Sequence, residues 1–264
     1  MQLDATAAAA GIGLICHDDI DSTNAEALRL ARAGEFRPLW VVARTQQAGR
    51  GRRGRGWVSA AGNLHATLLL VDPAEAQLAP QLSFVAALAL YDAVVRLAPE
   101  LAPRLALKWP NDLLCDGIKL AGILIEGEGA RPLLVAVGIG VNCIGHPNLD
   151  YPATDLRACG AAVSADDLFG ALSEAMVRRL AQWDRGGGFA EVRADWLQRA
   201  ALSGREVCVR LADRDINGRA EAIDAAGRLI LRRADGETET IAAADVFPVH
   251  RVANESARDF VRDP

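Results

Sequence analysis

Most of the features that assign a chain at sight are missing here. The five cysteines, Cys16, Cys115, Cys143, Cys159 and Cys208, are odd in number and widely scattered, with no CxxC or Cys/His ligand spacing among them. That pattern argues against a disulfide framework and a cysteine zinc site, and points to reduced thiols in the cytoplasm. No stretch reads as the roughly 20 apolar residues of a membrane span. The opening "MQLDATAAAAGIG" has no basic region ahead of its short apolar run, so it does not read as a signal peptide. A basic excess is also lacking: the formal net charge is -5, which argues against a general nucleic-acid binder. There is no internal repeat, no low-complexity tract and no Ser/His/Asp or Cys/His arrangement for a protein nucleophile.

What is present is a chain of 264 residues, 51% hydrophobic and 24% charged, long enough for one large domain and a small one. "TNAE" reads as a capping box, with Thr23 as N-cap and Glu26 three residues on, opening a helix that Gly34 ends. Strands are expected at 39–45, 63–71, 105–109, 118–126 and 133–142, and helices at 81–97 (stopped by Pro99), from Ser164, and after "GGG" at 186–188 to about Ala201. This interleaving lacks a regular βαβ alternation and predicts an α+β fold on a mixed sheet over residues 1–202. From Ser203 the texture changes to four or five short strands at close spacing, a small SH3-like β-barrel over 203–250. Residues 251–264 read as a frayed, charged tail.

Against this acidic background, "QQAGRGRRGRGW" (46–57) packs Arg50, Arg52, Arg53 and Arg55 among glycines. It reads three ways: a solvated loop, an RGG-like single-stranded nucleic-acid segment, or a loop closing over a phosphate. Glycines let backbone N–H groups approach an anion, and arginine forks match phosphate and carboxylate oxygens. Glycine and like charges also predict that residues 49–56 are ordered by a ligand. Three further segments weigh on the choice. "KWPND" (108–112) is a strand ending in an Asn-Asp turn, or a cation and carboxylate set at a site. "IKLAGILIE" puts Lys119 inside an apolar strand, as an edge-strand guard or as a lysine kept charged by an anionic ligand. "VGIGVN" puts Gly138 and Gly140 on one strand face, for tight packing or for close approach of a ligand.

In order along the chain, "DSTN" (21–24), "QQAGRGRRGRGW", "KWPND", "KLAGIL" (119–124) and "GIGVN" (138–142) resemble the biotin protein ligases, over roughly residues 14–250. The resemblance implies ATP and biotin as substrates, with Mg²⁺. Biotin becomes biotinyl-5′-AMP and is then transferred to a lysine of the biotin carboxyl carrier protein. It implies that Ser22, Thr23, Asn24, Gln46, Arg50, Gly51, Arg52, Lys119 and Gly122 meet biotin. Arg52, Arg55, Trp57, Asn111, Lys119 and Asn142 would meet ATP or the adenylate, and Asp112 would hold magnesium. It implies further that Lys119 and Arg52 would be the catalytic cations, acting where two anions must be brought together. Some bacterial members carry an N-terminal DNA-binding domain; about twenty residues precede "DSTN" here, so a monofunctional ligase is expected, with neither nucleic acid nor membrane as partner and a homodimer left open. The lipoate protein ligases share the adenylation logic and are the nearest alternative. A non-catalytic biotin sensor and an interaction module built on the barrel are the others.

Overall fold

The computed structural model describes residues 1–147 and 152–249. The expected tail, 251–264, lies outside the described residues.

Seven strands form the large sheet: β1 (Gly13–Ile20), β2 (Leu39–Gln46), β3 (Leu64–Val71), β4 (Leu105–Lys108), β5 (Asp112–Cys115), β6 (Ile118–Glu128) and β7 (Leu134–Val141). Their order is β1-β2-β3-β7-β6-β5-β4, parallel between β1 and β2 and antiparallel elsewhere, so the sheet is mixed as expected. Among the described residues there are five α-helices: α1 (Ala5–Ala9), α2 (Thr23–Arg32), α3 (Leu82–Leu97), α4 (Ala165–Trp183) and α5 (Phe189–Leu197); α2, α3 and α4 pack on the sheet, α1 packs on α4, and α5 packs on α3 and α4. The C-terminal sheet contains β8 (Glu206–Arg210), β9 (Asp215–Ile223), β10 (Leu229–Arg232), β11 (Thr238–Ile241) and β12 (Asp245–Pro248), ordered β11-β10-β9-β8-β12. β8 to β11 run as an antiparallel meander and β12 returns beside β8; among the described residues β11 and β12 are not paired, so this small SH3-like unit is not closed into a barrel there.

The central strands are apolar on both faces because both faces are covered. Trp40, Val42, Leu68, Val137 and Ile139 point into the main core beside α3 and α4. Leu39, Val41, Leu69 and Ala136 alternate with them and meet Ala27, Leu28 and Ala31 of α2 on the opposite face. The α2 face is the shorter cover, and beyond it the sheet is left open as the floor of a cleft.

Several boundaries differ from the sequence reading. Ser22, not Thr23, is the N-cap of α2: its backbone is extended (φ -159°) and its Oγ accepts from the Ala25 N–H. Thr23 is drawn into the first turn because its hydroxyl is spent on Gln46. Two strands had no legible signal, β1 and the four-residue β5; the turn expected in "KWPND" is present at 109–111, where Asn111 N–H donates to Lys108 O (3.1 Å), and Asp112 already opens β5. The last helix ends at Leu197 rather than Ala201, and residues 198–202 instead run along β4, with Leu107 donating to Arg199 O (2.7 Å) and Ala201 to Leu107 O (2.8 Å). That segment covers the sheet edge.

The expectation of no span-like run also needs correcting. A short turn at 76–81 leads directly into α3, and this stretch, 76–97, is long and apolar enough to cross a membrane, with mean hydropathy 1.6. It is the central helix of the core, 67% buried, with residues from Leu82 to Leu90 packed all round.

The two sheets are tied together near β4. Trp109 Nε1 donates to Gly227 O (2.9 Å). Phe84 of α3 lies against Gly227, whose φ of +80° leaves no room for a Cβ beside the ring. Cys115, Cys143 and Cys159 are buried free thiols, and burial pushes Cys115 and Cys143 up to about 12.

Candidate active site

The cleft opens on the α2 side of the sheet and encloses about 1570 Å³, between the sheet floor, the arginine loop and the C-terminal strand β12. Strand register sets its floor. Lys108, Asp112, Gly122, Gly140 and His65 stand side by side across β4, β5, β6, β7 and β3. Leu124, Gly138 and Thr67 form the next row. The three glycines leave that floor bare for two neighbours. A Cβ on Gly138 would lie 2.2 Å from Asn24 Oδ1, and one on Gly140 would lie 2.5 Å from the Trp57 indole. Both glycines are thus packed against by the chain's own Asn24 and Trp57, which is the tight-packing reading of "VGIGVN".

One end of the cleft is a polar network seated on α2. The Thr23 N–H and hydroxyl both donate to Gln46 Oε1 (2.8 and 3.0 Å), and Gln46 Nε2 donates to Ser59 Oγ (2.8 Å). Asn24 Nδ2 donates to Glu126 (2.8 Å), while its Oδ1 is 2.6 Å from the Thr67 hydroxyl. Ser22, Thr23 and Asn24 are buried, as is Thr67. Such a set presents fixed donors and acceptors to a small neutral polar ligand without offering it a net charge.

The other end is cationic. Lys119 Nζ lies 2.7 Å from Asp112 Oδ1, off the angle of a good hydrogen bond, and 5.8 Å from the Trp57 ring. β6 lies between β7 and β5, which removes the edge-strand reading of Lys119. Arg50 pairs with Glu126 at 3.3 Å. Arg52 donates to Asn111 Oδ1 (3.3 Å) and Ala244 O (3.2 Å), and burial lowers its pKa from the ordinary arginine value. Arg53 and Arg55 both reach Asp245, at 3.3 and 2.8 Å. The loop folds on itself through Gly51 N–H to Arg55 O (2.7 Å) and Trp57 N–H to Gly49 O (2.9 Å), with Arg53 in the left-handed region (φ 55°).

The structure thus gathers Ser22, Thr23, Asn24, Gln46, Arg50, Gly51, Arg52, Arg55, Trp57, Asn111, Asp112, Lys119 and Gly122 around one cleft. Asn142 is apart from its lining. Its side-chain amide donates to Thr154 O (2.9 Å) and its backbone bonds Leu120 and Leu156, so it anchors the 154–156 segment. Asp245 and Phe247 also line the cleft, and Thr67 and Glu126 hold Asn24; the sequence reading named none of these four, and raised Lys108, which lines the cleft too, only as the cation of "KWPND". Thr67 and Glu126 carried a signal, as polar side chains in strongly apolar strands. Asp245 and Phe247 carried none, because their strand belongs to the C-terminal sheet.

Chemically, the cleft can hold a polar, uncharged head group at one end and collect anions at the other. No set of three or more His, Cys, Asp or Glu side chains is grouped to hold a metal among the described residues.

The chain is similar to known proteins in both of its parts. The profile of the Biotin/lipoate A/B protein ligase family matches residues 19–142, and that of the biotin protein ligase C terminal domain matches 202–247. A biotin–[acetyl-CoA-carboxylase] ligase of Paracoccus denitrificans is 48% identical over 236 residues, spanning 86% of this chain and 97% of that protein. The structure of a biotin protein ligase from Aquifex aeolicus in complex with biotin and ATP is similar with a TM-score of 0.75 at 25% identity, over 90% of this chain and 99% of that one. A Leishmania major biotin protein ligase in complex with biotinyl-5-AMP gives 0.65 at 27% identity, over 88% and 99%.

Proposed function

The chain belongs to the biotin protein ligase family, and from that premise we propose how its cleft carries out the ligase reaction. The protein is an ATP-dependent enzyme that activates biotin as biotinyl-5′-AMP and transfers it to a lysine of a carboxylase carrier protein. The observation that carries the assignment of the site is Lys119 on a glycine floor. One fixed ammonium stands at the junction of the neutral and cationic ends, where the reacting carboxylate and α-phosphate would meet.

The ureido head of biotin sits against Ser22, Thr23, Asn24 and Gln46, and its apolar tail runs over Gly122, with the backbone at Arg50 and Gly51 closing the side. The carboxylate oxygen attacks the α-phosphorus, and Lys119 neutralises charge accumulating between the two anions. Preorganised cations are worth more here than in water because the cleft is shielded. Arg52, held by Asn111, covers the nucleotide side together with Arg55, and Trp57 packs over the adenylate. Asn142 acts through the segment it anchors. In the second step the carrier's lysine amine attacks the mixed anhydride and AMP leaves.

Magnesium brought with ATP would neutralise phosphate charge in the cleft, and a single protein carboxylate would be enough to help hold it there. Asp112 fits that part, as a cleft-lining carboxylate opposite Lys119. The division into a catalytic unit (1–202) and a C-terminal unit (203–250), residence in the cytoplasm, and a homodimer belong to the same proposal. Sedimentation over a range of protein concentrations tests the dimer.

The decisive experiment supplies ATP with radiolabelled biotin or lipoate and a carrier domain. Biotin should be incorporated and lipoate should not. Lipoate incorporation would move the chain to the other branch of its family, and failure of both would remove the ligase reading.

A further inference from the structure

Lys108 closes β4, one place outside Asp112 in the cross-strand row that forms the cleft floor. It lines the cleft, yet among the described residues no carboxylate oxygen lies within 4.0 Å of its Nζ. Asp112, its neighbour in register, is turned to Lys119 instead. The contact the ammonium does make is with the ring of Phe247 in β12, 5.4 Å from the centroid. The Arg210 guanidinium packs on the same ring at 5.1 Å. Burial lowers the Lys108 pKa. Asp112 and Asp245 oppose that shift from farther off, whereas Lys119 and Arg55 add to it. A cation shielded from water, held by an aromatic ring and left without a counter-ion is costly. Nothing in the fold of β4 requires it, since an apolar side chain would pack against Phe247 as well.

The position suggests what the cation awaits. Asp112 separates two lysines. Lys119 stands on the glycine side, where the carboxylate and α-phosphate meet; Lys108 stands on the outer side, toward the C-terminal sheet. A triphosphate whose α-phosphorus is at Lys119 can extend its remaining phosphates past Asp112 toward Lys108. We propose that Lys108 binds the β- and γ-phosphates of ATP and then the departing pyrophosphate, and that Phe247 is the positioning residue that holds its ammonium in place. This assignment rests on the ligase reading above. In the step concerned, a bond forms between the biotin carboxylate oxygen and the α-phosphorus. The bond from the α-phosphorus to the bridging oxygen breaks, and its electron pair leaves with that oxygen as pyrophosphate. Lys108 stays protonated throughout and donates N–H bonds to the leaving anion.

The test is biotin-dependent exchange of radiolabelled pyrophosphate into ATP, run on the full chain. Lys108→Met raises the KM for pyrophosphate by about ten- to a hundredfold, the value of a lost charge-assisted contact, and Lys108→Arg recovers most of it. Transfer from pre-made biotinyl-AMP to the carrier, a step without pyrophosphate, changes by less than about twofold. Phe247→Leu removes the seat and leaves the ammonium; it raises KM for pyrophosphate while keeping the exchange kcat, and Phe247→Tyr restores it. A KM for pyrophosphate unmoved in Lys108→Met, or transfer slowed as much as exchange, overturns the assignment. Should that variant not fold, the Phe247 pair decides alone: an unmoved KM in Phe247→Leu overturns it equally. A wild-type protein without any exchange removes the ligase reading and this assignment together, whereas exchange with an unmoved KM removes this assignment only.

Discussion

The floor and the roof of the cleft are built by opposite means. The floor is strand backbone, β6 between β7 and β5, with every position set by ladder hydrogen bonds and by apolar side chains packed beneath it. The roof is the arginine loop, held by a few side-chain contacts to another sheet: Arg52 on Ala244, and Arg53 and Arg55 on Asp245. Arg53 and Arg55 are partly exposed, and contacts of that kind are individually weak. A group fixed by the floor can be aimed once and for all, which suits the cation at the reacting atoms. A group fixed by the roof can exchange one anion for another, which suits residues that must admit substrates and then retain a reactive intermediate.

The sharpest way to separate the two is to remove one cation from each. Lys119→Ala should lower adenylate formation by about 10²–10³, measured as pyrophosphate release at saturating biotin and ATP. A near-wild-type rate would take Lys119 out of the first step. Arg52→Gly should spare much of adenylate formation and weaken retention, speeding adenylate release by about ten- to a hundredfold. The readout is biotin on bystander serum albumin; albumin left unlabelled while adenylate is still made would show that the loop cation is not the latch.

A third substitution tests whether floor and roof meet where the structure says. The Cβ of Gly140→Ala would intrude 2.5 Å from the Trp57 indole. The sheet cannot yield, so the loop must, at a cost of about 1–3 kcal/mol. Trypsin should then cut at Arg50–Arg55 sooner, by about tenfold, and biotin with ATP should protect less than in the wild type. Unchanged cleavage would place Trp57 elsewhere in solution. The smallest effect is expected from Asp245→Asn, which removes the shared partner of Arg53 and Arg55. Two partly exposed pairs are worth at most about 1 kcal/mol together, so free-state cleavage should quicken by no more than about fivefold. Cleavage of the liganded enzyme should barely change, since the adenylate would then hold the loop.

Residue by residue, the legible and the illegible divide along the same line. The strands from β2 to β7 that carry long apolar runs were readable because both of their faces are buried, and the pair Gly138 and Gly140 marked where Asn24 and Trp57 pack closely on the sheet. β1 was not, since it is an edge strand with an alternating, half-exposed pattern, and β5 is only four residues long. The N-cap of α2 was misplaced by one because Ser22 and Thr23 are equally able to cap. Only the demand of Gln46 on the Thr23 hydroxyl chooses between them, and Gln46 is 23 residues away.

The sequence alone determined the family, and with it the class of chemistry, through the ordered motifs "DSTN", "QQAGRGRRGRGW", "KWPND", "KLAGIL" and "GIGVN". Taken singly, the arginine cluster and Lys119 left a solvated loop and an edge-strand guard open. Tertiary structure decided which groups meet and which do not. It put Asn142 to anchoring a loop, turned Asp112 toward Lys119 and away from Lys108, and brought Asp245 and Phe247 from the far end of the chain to the cleft. The reason is that periodicity records which face of an element is buried, whereas counter-ions and ring contacts depend on which elements pack together. Some of these partners are near in sequence, as Asp112 and Lys119 are, but others come from opposite ends of the chain, as with Lys108 and Phe247 or Arg55 and Asp245.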